Sequence, residues 1–286
     1  MKTTAVVISY NPDRDFPRRI QQMTRECKTV YVIDNGSAAG SLKSVKAKIV
    51  RLGKNTGIAH AQNVGLKLAF DKGADGVILF DHDSTPRKGF SAALWQAYRA
   101  EENPTIVGAQ IYDINTQHFS KYPTYAGPVF RRRACGADAV LRGAMLAIAS
   151  GTLISRAVYE RVGGMEDTLF IDYVDWEYCL RARYRHGIAT VICGAAVLEH
   201  ARGERKARRF LGVTVRPPGY SLFRYRHMFR NRALLFRRYF FKAPAFIGFE
   251  FVATCRDFLL LFSEERPLQK VFAAVAAWFR GFLYTA

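Results

Sequence analysis

Two aspartates separated by one residue follow a short apolar run in this chain of 286 residues. The segment reads "VILFDHDSTP", in which Asp81 and Asp83 come directly after four apolar residues. Alternate residues of an extended strand point to the same side, so the two carboxylates are predicted to lie close together. They would repel each other unless a cation lay between them or their pKa values separated. Carboxylate oxygens suit Mg²⁺ or Mn²⁺, and a histidine nitrogen is tolerated as a further ligand.

A histidine and further acids occur where other elements are predicted to begin or end. His200 closes the apolar run "IATVICGAAVLEH", while Asp172, Asp175 and Glu177 lie in "LFIDYVDWEYCLRAR". With the D-x-D pair, these residues favour a divalent-metal site. Each has a simpler alternative: an acidic turn that caps a helix for the D-x-D pair, a core histidine for His200, and a solvated helix start for the other acids.

The chain up to residue 90 alternates strand-like apolar runs with segments of helical spacing. This alternation predicts an α/β fold, with a mainly parallel central sheet flanked by helices. Ligands of such sheets bind at the carboxyl ends of the strands. The predicted strands end in polar residues at Tyr10-Asn11, Asp34-Asn35, Asn55 and the D-x-D pair. No G-x-G-x-x-G follows the first strand and no P-loop motif occurs, which disfavours dinucleotide-binding and P-loop proteins.

Composition favours a reduced, cytoplasmic protein. Hydrophobic residues make up 49% of the chain, enough for a substantial core. The five cysteines are scattered and form no C-x-x-C pair, which fits free thiols better than a disulfide framework. The N-terminal run is too short for a signal-peptide core.

The C-terminal part is basic, aromatic and predicted to be helical. Residues 201–242 contain 13 Lys or Arg and one acid, giving 13 − 1 = +12 of the net +19. This block indicates a phosphate-rich partner: nucleic acid, an anionic membrane or a diphosphate substrate. Charges interrupt every long apolar run, so an interfacial helix is expected rather than a spanning one. Pro244 and Pro267 are predicted to separate helices, and the expected division is 1–215 for the sheet domain and 216–286 for a helical extension.

An ordered set of motifs carries a resemblance to a known family. The motifs are "AVVISYNP", "VIDNGS", "NTGIAHAQNVGL", "ILFDHDS", "SGTLIS", "LFIDYVDWEYCLRAR" and "LEHARG", covering residues 5 to about 203. The set resembles family 2 inverting glycosyltransferases, which have the nucleotide-diphospho-sugar transferase (GT-A) fold. Within that family, the set is most similar to bacterial rhamnosyltransferases. The segment "YRHMFRNRALL" also resembles the segment that follows the catalytic domain in that subgroup.

The resemblance implies roles for individual residues. Asp175 takes the place of the catalytic base, and the family's usual Glu-Asp pair reads Val174-Asp175 here, so Asp172 or Glu177 would have to supply the acidic neighbour. The implied nucleotide-sugar-binding residues are Tyr10, Asn11, Asp34, Asn35, Asn55, Gly57, Gln62 and Asp81. The implied metal ligands for Mn²⁺ or Mg²⁺ are Asp81, Asp83 and His200. Donor or acceptor contacts are expected from Gly151, Thr152, Asp172, Trp176 and Glu177.

The resemblance also implies a reaction and a place for it. We expect transfer of L-rhamnose from dTDP-L-rhamnose, or else of a sugar from a UDP-sugar, to a saccharide or lipid-linked saccharide in O-antigen-type synthesis. The protein is expected at the inner face of the cytoplasmic membrane, bound peripherally to anionic lipid, without nucleic acid, and able to form homo-oligomers through its C-terminal helices. Two other classes compete: a nucleic-acid-binding protein that uses residues 201–242, and a non-catalytic membrane scaffold.

Overall fold

The computed structural model describes residues 1–200, 207–210 and 212–284. The rest of the "LEHARG" motif, after His200, and the first residues of the basic block therefore lie outside the described residues. The helices are α1 Phe16–Glu26, α2 Ile58–Asp71, α3 Phe90–Arg99, α4 Arg156–Val162, α5 Val174–His186, α6 Leu222–Tyr239, α7 Pro244–Leu261 and α8 Pro267–Leu283, with a 3₁₀ turn at Asp167–Leu169. The strands are β1 Thr3–Ser9, β2 Thr29–Asp34, β3 Lys48–Arg51, β4 Gly76–Asp81, β5 Ser84–Pro86, β6 Ile106–Asp113, β7 His118–Phe119, β8 Lys121–Ala126, β9 Val129–Ala134, β10 Val140–Leu141, β11 Leu153–Ser155, β12 Thr190–His200, β13 Arg208–Phe210 and β14 Val213–Val215.

The central sheet is mixed but mainly parallel, which confirms the predicted α/β class. Its order is β10-β12-β6-β11-β4-β1-β2-β3. Strands β1, β2, β3 and β4 pair in parallel, as do β6 and β12, while β11 runs antiparallel between β4 and β6. Every residue of β1 is buried, because helices cover both faces of such a sheet. Continuous apolar runs in the sequence therefore become the strands that hold the core.

Helix α2 packs against β1 through small residues. A Cβ added at Gly65 would lie 2.2 Å from Val6 Cγ1, so only glycine allows this close approach. Gln62 lies on the same buried face, whereas Ile58 and Leu68 are only half-buried. The close approach at Gly65 brings the helix next to β1, while Leu66 and Phe70 are also buried on the helix.

The described residues form two compact units. The first comprises Met1–Thr124, Arg132–Phe170 and residues 174–200, and contains the central sheet. The second comprises the described residues from 207 onward, together with Tyr125–Arg131 and Ile171–Tyr173. The second unit therefore begins earlier along the chain than residue 216 and includes two short segments from within the first 200 residues.

Three long helices build the second unit. As the sequence predicts, Pro244 and Pro267 start α7 and α8, where a missing backbone N–H costs no hydrogen bond. Helices α6 and α8 approach closely, since a Cβ at Gly281 would lie 2.2 Å from the carbonyl oxygen of Arg230. No helix among the described residues combines the length and the apolarity needed to cross a bilayer.

Candidate active site

The ends of the parallel strands bring the predicted polar residues to one edge of the sheet. Asp34 of β2 pairs in register with Ser9 of β1 and with Arg51 of β3. Asp81 of β4 pairs with Ile8, one residue earlier on β1. The edge therefore collects residues that are far apart in sequence, as expected for a binding site in a sheet of this class.

Two asparagines fix the loop that leads into α2. Asn35 is buried, and its Oδ1 accepts a hydrogen bond from the Thr56 backbone N–H at 2.9 Å. Its Nδ2 donates to Asn55 Oδ1 at 3.1 Å, and the same oxygen accepts from the Gly57 N–H at 3.0 Å. These bonds occupy both side chains, so the structure gives Asn35 and Asn55 a role in shaping the loop. Direct contact of either with a nucleotide remains a prediction.

Gly57 is required by a neighbouring residue. Its φ is +89°, and an added Cβ would lie 2.6 Å from the Phe170 ring. The Ile58 N–H also donates to the Phe170 carbonyl at 2.6 Å, which fixes this approach. The close approach seen here is to Phe170, and contact of Gly57 with a nucleotide-sugar remains a prediction.

The other predicted nucleotide-binding residues differ in what they can offer. The Tyr10 ring is 46% exposed at the end of β1. Asn11 has a left-handed backbone, and its side chain accepts from the Ala38 N–H at 2.9 Å. Asp34 is buried and accepts from the Ser37 N–H at 3.1 Å. Gln62 is buried with its Oε1 lacking a hydrogen-bond partner among the described residues.

Asp83 and His200 lie side by side at the strand ends. Pairing of β5 with β12 sets Ser84 opposite His200, and His200 Nδ1 lies 3.1 Å from Ser84 Oγ and 3.4 Å from Asp83 Oδ1. Asp83 Oδ1 is buried, yet no described group makes a hydrogen bond to it. A buried carboxylate oxygen without a donor is costly, and a cation would supply the missing positive charge. This pair therefore fits a hard divalent ion.

The structure brings together two of the three predicted protein ligands, Asp83 and His200. Among the described residues, no three His, Cys, Asp or Glu side chains lie close enough to hold an ion together. Asp83 and His200 form a pair, but Asp81 does not complete a triad with them. Mg²⁺ and similar ions in transferase sites often have one or two carboxylate ligands, with substrate phosphates and water filling the remaining positions. Two protein ligands are therefore enough for a site that the donor would complete.

Two serines that sequence reasoning missed connect this region. The Asp81 backbone N–H donates to Ser150 Oγ at 3.0 Å, and Ser150 Oγ lies 2.8 Å from Ser84 Oγ. Ser84 in turn contacts His200, so a chain of hydrogen bonds joins β4, β5 and β12. Ser150 is the first residue of the "SGTLIS" motif, in which the sequence predicts contacts only for Gly151 and Thr152.

Gly151 and Thr152 have structural roles. Gly151 has a φ of +85°, and an added Cβ would lie 2.9 Å from Ala109 Cβ. Thr152 is buried, and its hydroxyl donates to the Ile148 carbonyl at 2.6 Å. These contacts explain both residue types without a ligand, and their predicted donor or acceptor contacts remain predictions.

Asp175 lies in the first turn of α5. The side chain is half-buried, and its Oδ1 accepts from the Trp176 N–H at 2.9 Å. The helix dipole favours a negative charge at this position, which suits a carboxylate that must be ionised to act as a base. Trp176 follows it and is also half-buried.

Neither proposed acidic neighbour is available to support Asp175. Glu177 is fully buried, and Arg181 donates to both its carboxylate oxygens at 2.9–3.1 Å. The expected substrate contact of Glu177 is therefore wrong, because the side chain forms a buried ion pair one helical turn apart. Asp172 forms a bidentate pair with Arg224 at 2.9 and 3.0 Å, so both oxygens of this carboxylate already have a cationic partner.

The backbone before Asp175 is strained. Phe170, Asp172 and Tyr173 have φ of 60°, 59° and 66°. Each such conformation costs a non-glycine residue on the order of 1–3 kcal/mol, and persists only where neighbouring contacts fix it. Strain of this kind is concentrated at functional sites.

The fold and the acidic strand ends are those expected of a nucleotide-diphospho-sugar transferase. Residues 4–163 match Glycosyl transferase family 2, and the chain belongs to this family. It is 32% identical over 240 residues to the dTDP-rhamnosyl transferase RfbF of Shigella flexneri, an alignment that covers 82% of this chain and 79% of that protein. The chain is therefore a glycosyltransferase.

Solved structures agree with the fold. S. aureus TarS 1-349 superposes with a TM-score of 0.63 at 12% identity, covering 99% of this chain and 81% of that one. The mannosyltransferase PcManGT from Pyrobaculum calidifontis, in complex with GDP-Man and Mn²⁺, has a TM-score of 0.56 at 17% identity, covering 100% and 76%. At these identities the likeness establishes the fold alone.

Proposed function

We propose that this glycosyltransferase moves L-rhamnose from dTDP-L-rhamnose to a saccharide or lipid-linked saccharide acceptor in O-antigen-type synthesis. The observation that carries the proposal is the 32% identity with a dTDP-rhamnosyl transferase across 82% of the chain. The acids at the strand ends add chemical support, because a nucleotide-diphospho-sugar needs groups for its base, its diphosphate and its reacting carbon.

The proposed reaction is a single displacement with inversion. Asp175 accepts the proton of the acceptor hydroxyl while the hydroxyl oxygen bonds to the anomeric carbon of the donor. The bond from that carbon to the diphosphate oxygen breaks on the opposite face, so the configuration inverts and no sugar–enzyme intermediate forms. Asp175 lies in the first turn of α5, where the helix dipole favours a negative charge.

The strand ends would hold the donor. Asp34 would contact the pyrimidine base and the exposed Tyr10 ring would cover it. Asp83 and His200 would hold Mn²⁺ or Mg²⁺, and that ion would neutralise charge on the leaving diphosphate. Asp81 would contact the donor ribose, while the serine chain through Ser84 keeps His200 in place.

A panel of nucleotide-sugars tests the donor. In Mn²⁺, dTDP-L-rhamnose at about 100 times its Kd is expected to stabilise the protein by about 2.7 kcal/mol. For a chain of this size that raises the Tm by about 4–5 °C. Differential scanning fluorimetry with and without EDTA measures the shift. Stabilisation by UDP-sugars alone would reject the dTDP donor, and no stabilisation by any nucleotide-sugar would reject the proposed function.

We also propose that the second unit binds an anionic membrane at the cytoplasmic face. Helix α8 exposes Leu268, Phe272, Val275, Phe279 and Leu283, which recur at spacings of four and three residues and so share one side of the helix. Helices α6 and α8 contain Lys and Arg but no Asp or Glu. An apolar stripe beside exposed cations such as Arg226 and Arg280 suits anionic lipid better than a second copy of the same positive surface.

A groove within this unit adds to the case for lipid. It has a volume of about 910 Å³ and lies between α6 and α8, where Arg226, Arg230 and Arg280 stand beside Phe223 and Phe272. Cations beside aromatic rings match a phosphate headgroup on an apolar chain. Binding of such a lipid would place the enzyme at the membrane surface, where a lipid-linked acceptor resides.

Co-sedimentation with liposomes tests the membrane proposal. Binding is expected to rise with phosphatidylglycerol content and to fall with salt. Changing Arg226, Lys242 and Arg280 together to Gln should weaken binding on the order of 10²-fold, at about 1 kcal/mol for each charge. Arg237 is left intact, because it donates to the Phe282 and Tyr284 carbonyls at the end of α8.

The matched control changes Lys28, Lys43 and Lys46 to Gln, which removes the same charge from exposed positions of the first unit. Liposome binding should survive in this control. Equal losses in both triple variants would indicate non-specific attraction, and no binding at low salt would contradict the proposal. A concentration-dependent dimer that Phe272→Ser abolishes would instead assign the stripe to oligomer contacts.

A further inference from the structure

The turn that precedes α5 is built from non-glycine residues in left-handed conformations. Phe170, Asp172 and Tyr173 all have positive φ, and α5 begins at the next residue, Val174. Such a backbone needs outside contacts to hold it. Segment Ile171–Tyr173 groups with the C-terminal helices, so its contacts within the second unit show what holds it.

The side chain of Asn231, in α6, binds the backbone of the turn. The side chain is fully buried, and Nδ2 donates to the Ile171 and Asp172 carbonyls, each at 2.9 Å. Arg230 donates to Asn231 Oδ1 through Nε at 2.9 Å and Nη2 at 2.8 Å. The arginine therefore fixes which end of the amide faces the turn. These contacts give a structural role to the Arg-Asn pair in "YRHMFRNRALL", to which the proposed function assigns no contact with the donor.

Two further contacts hold the turn by its side chains. Arg224 of α6 grips the Asp172 carboxylate with Nε and Nη2. The Tyr173 hydroxyl donates to Glu250 Oε2 at 2.7 Å and accepts a hydrogen bond from Arg232. All of these partners come from α6 or α7, about 50 or more residues further along the chain.

We propose that Asn231 and Arg224 are positioning residues for Asp175. The inference rests on the proposed role of Asp175 as the base. One residue, Val174, separates Tyr173 from Asp175, and successive Cα atoms are about 3.8 Å apart. A turn that relaxed from its left-handed conformation would therefore move the start of α5 and its carboxylate. The C-terminal helices thus set the geometry of proton transfer in addition to any part in membrane binding.

Kinetics of two variants test the inference. Asn231→Ala removes both backbone bonds, and Arg224→Gln removes the bidentate pair at a partly exposed position. Turnover is measured as release of dTDP from dTDP-L-rhamnose in Mn²⁺, with water as the acceptor. For Asn231→Ala we expect kcat to fall on the order of 10²-fold, the scale for a misplaced catalytic group, with little change in donor KM. Arg224→Gln should show a smaller fall, and Arg216→Gln, a matched change at an exposed position before α6, should show none.

A double-mutant cycle separates positioning from a general effect on the fold. In an Asp175→Asn background, Asn231→Ala should cost little further activity, because the group that it positions is already disabled. A full additional loss of the same size would overturn the inference. A fall in kcat that tracks only a fall in folded fraction would overturn it as well.

Hydrogen exchange provides a readout that does not depend on the donor. Amides of residues 171–176 should exchange faster in Asn231→Ala and Arg224→Gln than in wild type, while those of β1 and β4 keep their protection. Unchanged exchange in residues 171–176 would contradict the proposal that Asn231 and Arg224 hold the turn. If exchange rises in the variants but the wild type does not bind dTDP-L-rhamnose, the role of Asn231 and Arg224 in holding the turn is supported and the proposed donor is rejected.

Discussion

Asp175→Asn is expected to lower turnover by about 10²–10⁴-fold, the usual effect of losing a general base. The amide has nearly the same shape and keeps an oxygen to accept the Trp176 N–H, so folding should be preserved. It has no basic oxygen to take the acceptor proton. Donor binding should change by less than about twofold, because the loss falls on the transition state alone. Initial rates and donor titrations on the same preparation measure both effects.

The buried carboxylate nearby provides the contrast. Glu177→Gln would leave Arg181 without its ion-pair partner in a buried position, which typically costs about 3–5 kcal/mol of stability. Glu177→Gln should therefore lower the Tm, and any loss of turnover should follow from the loss of folded protein. Asp175→Asn should instead keep the wild-type Tm. If Asp175→Asn retained more than half of the activity, another group would be the base.

Asp83→Ala is expected to abolish turnover together with the stabilisation that a donor gives in Mn²⁺. The residue supplies the carboxylate whose buried Oδ1 has no hydrogen bond and lies 3.4 Å from His200 Nδ1. Without metal, the variant should be as stable as wild type or more so, since an unsatisfied buried oxygen is removed. Thermal shifts across a Mn²⁺ series, with and without dTDP-L-rhamnose, measure both expectations.

Asp138→Ala is the matched control, because this aspartate is exposed. It should keep the metal-dependent shift. Full activity of the wild type in excess EDTA would reject the metal proposal. If Asp83→Ala lost turnover but kept the metal-dependent shift, Asp83 would act on the donor without holding the ion.

Much of the sheet could be predicted from sequence, because strands buried on both faces read as unbroken apolar runs. Strands β1, β2 and β4 and their polar ends follow directly from this pattern. The spacing of Glu177 and Arg181 allows an ion pair, since oppositely charged residues four apart in a helix are neighbours, but Glu177 was expected to contact a substrate. What the sequence left open was whether that pair is exposed, which depends on packing around α5.

The remaining features depend on contacts between distant residues. Ser84 and Ser150 meet 66 residues apart, and Asn231 binds carbonyls 59 and 60 residues before it. Local pattern contains no signal for such partners. Gly57 illustrates the same limit: the motif placed it among the nucleotide-sugar-binding residues, but only the structure identifies its close contact with Phe170.

Stereochemistry of the first turnover product tests the central claim most directly. Proton NMR of dTDP-L-rhamnose with enzyme and Mn²⁺, recorded before released sugar equilibrates, reports the anomeric configuration of L-rhamnose formed with water as acceptor. Displacement assisted by Asp175 predicts the configuration opposite to that of the donor, and Asp175→Asn should slow its appearance. Release of L-rhamnose with retained configuration would contradict the account.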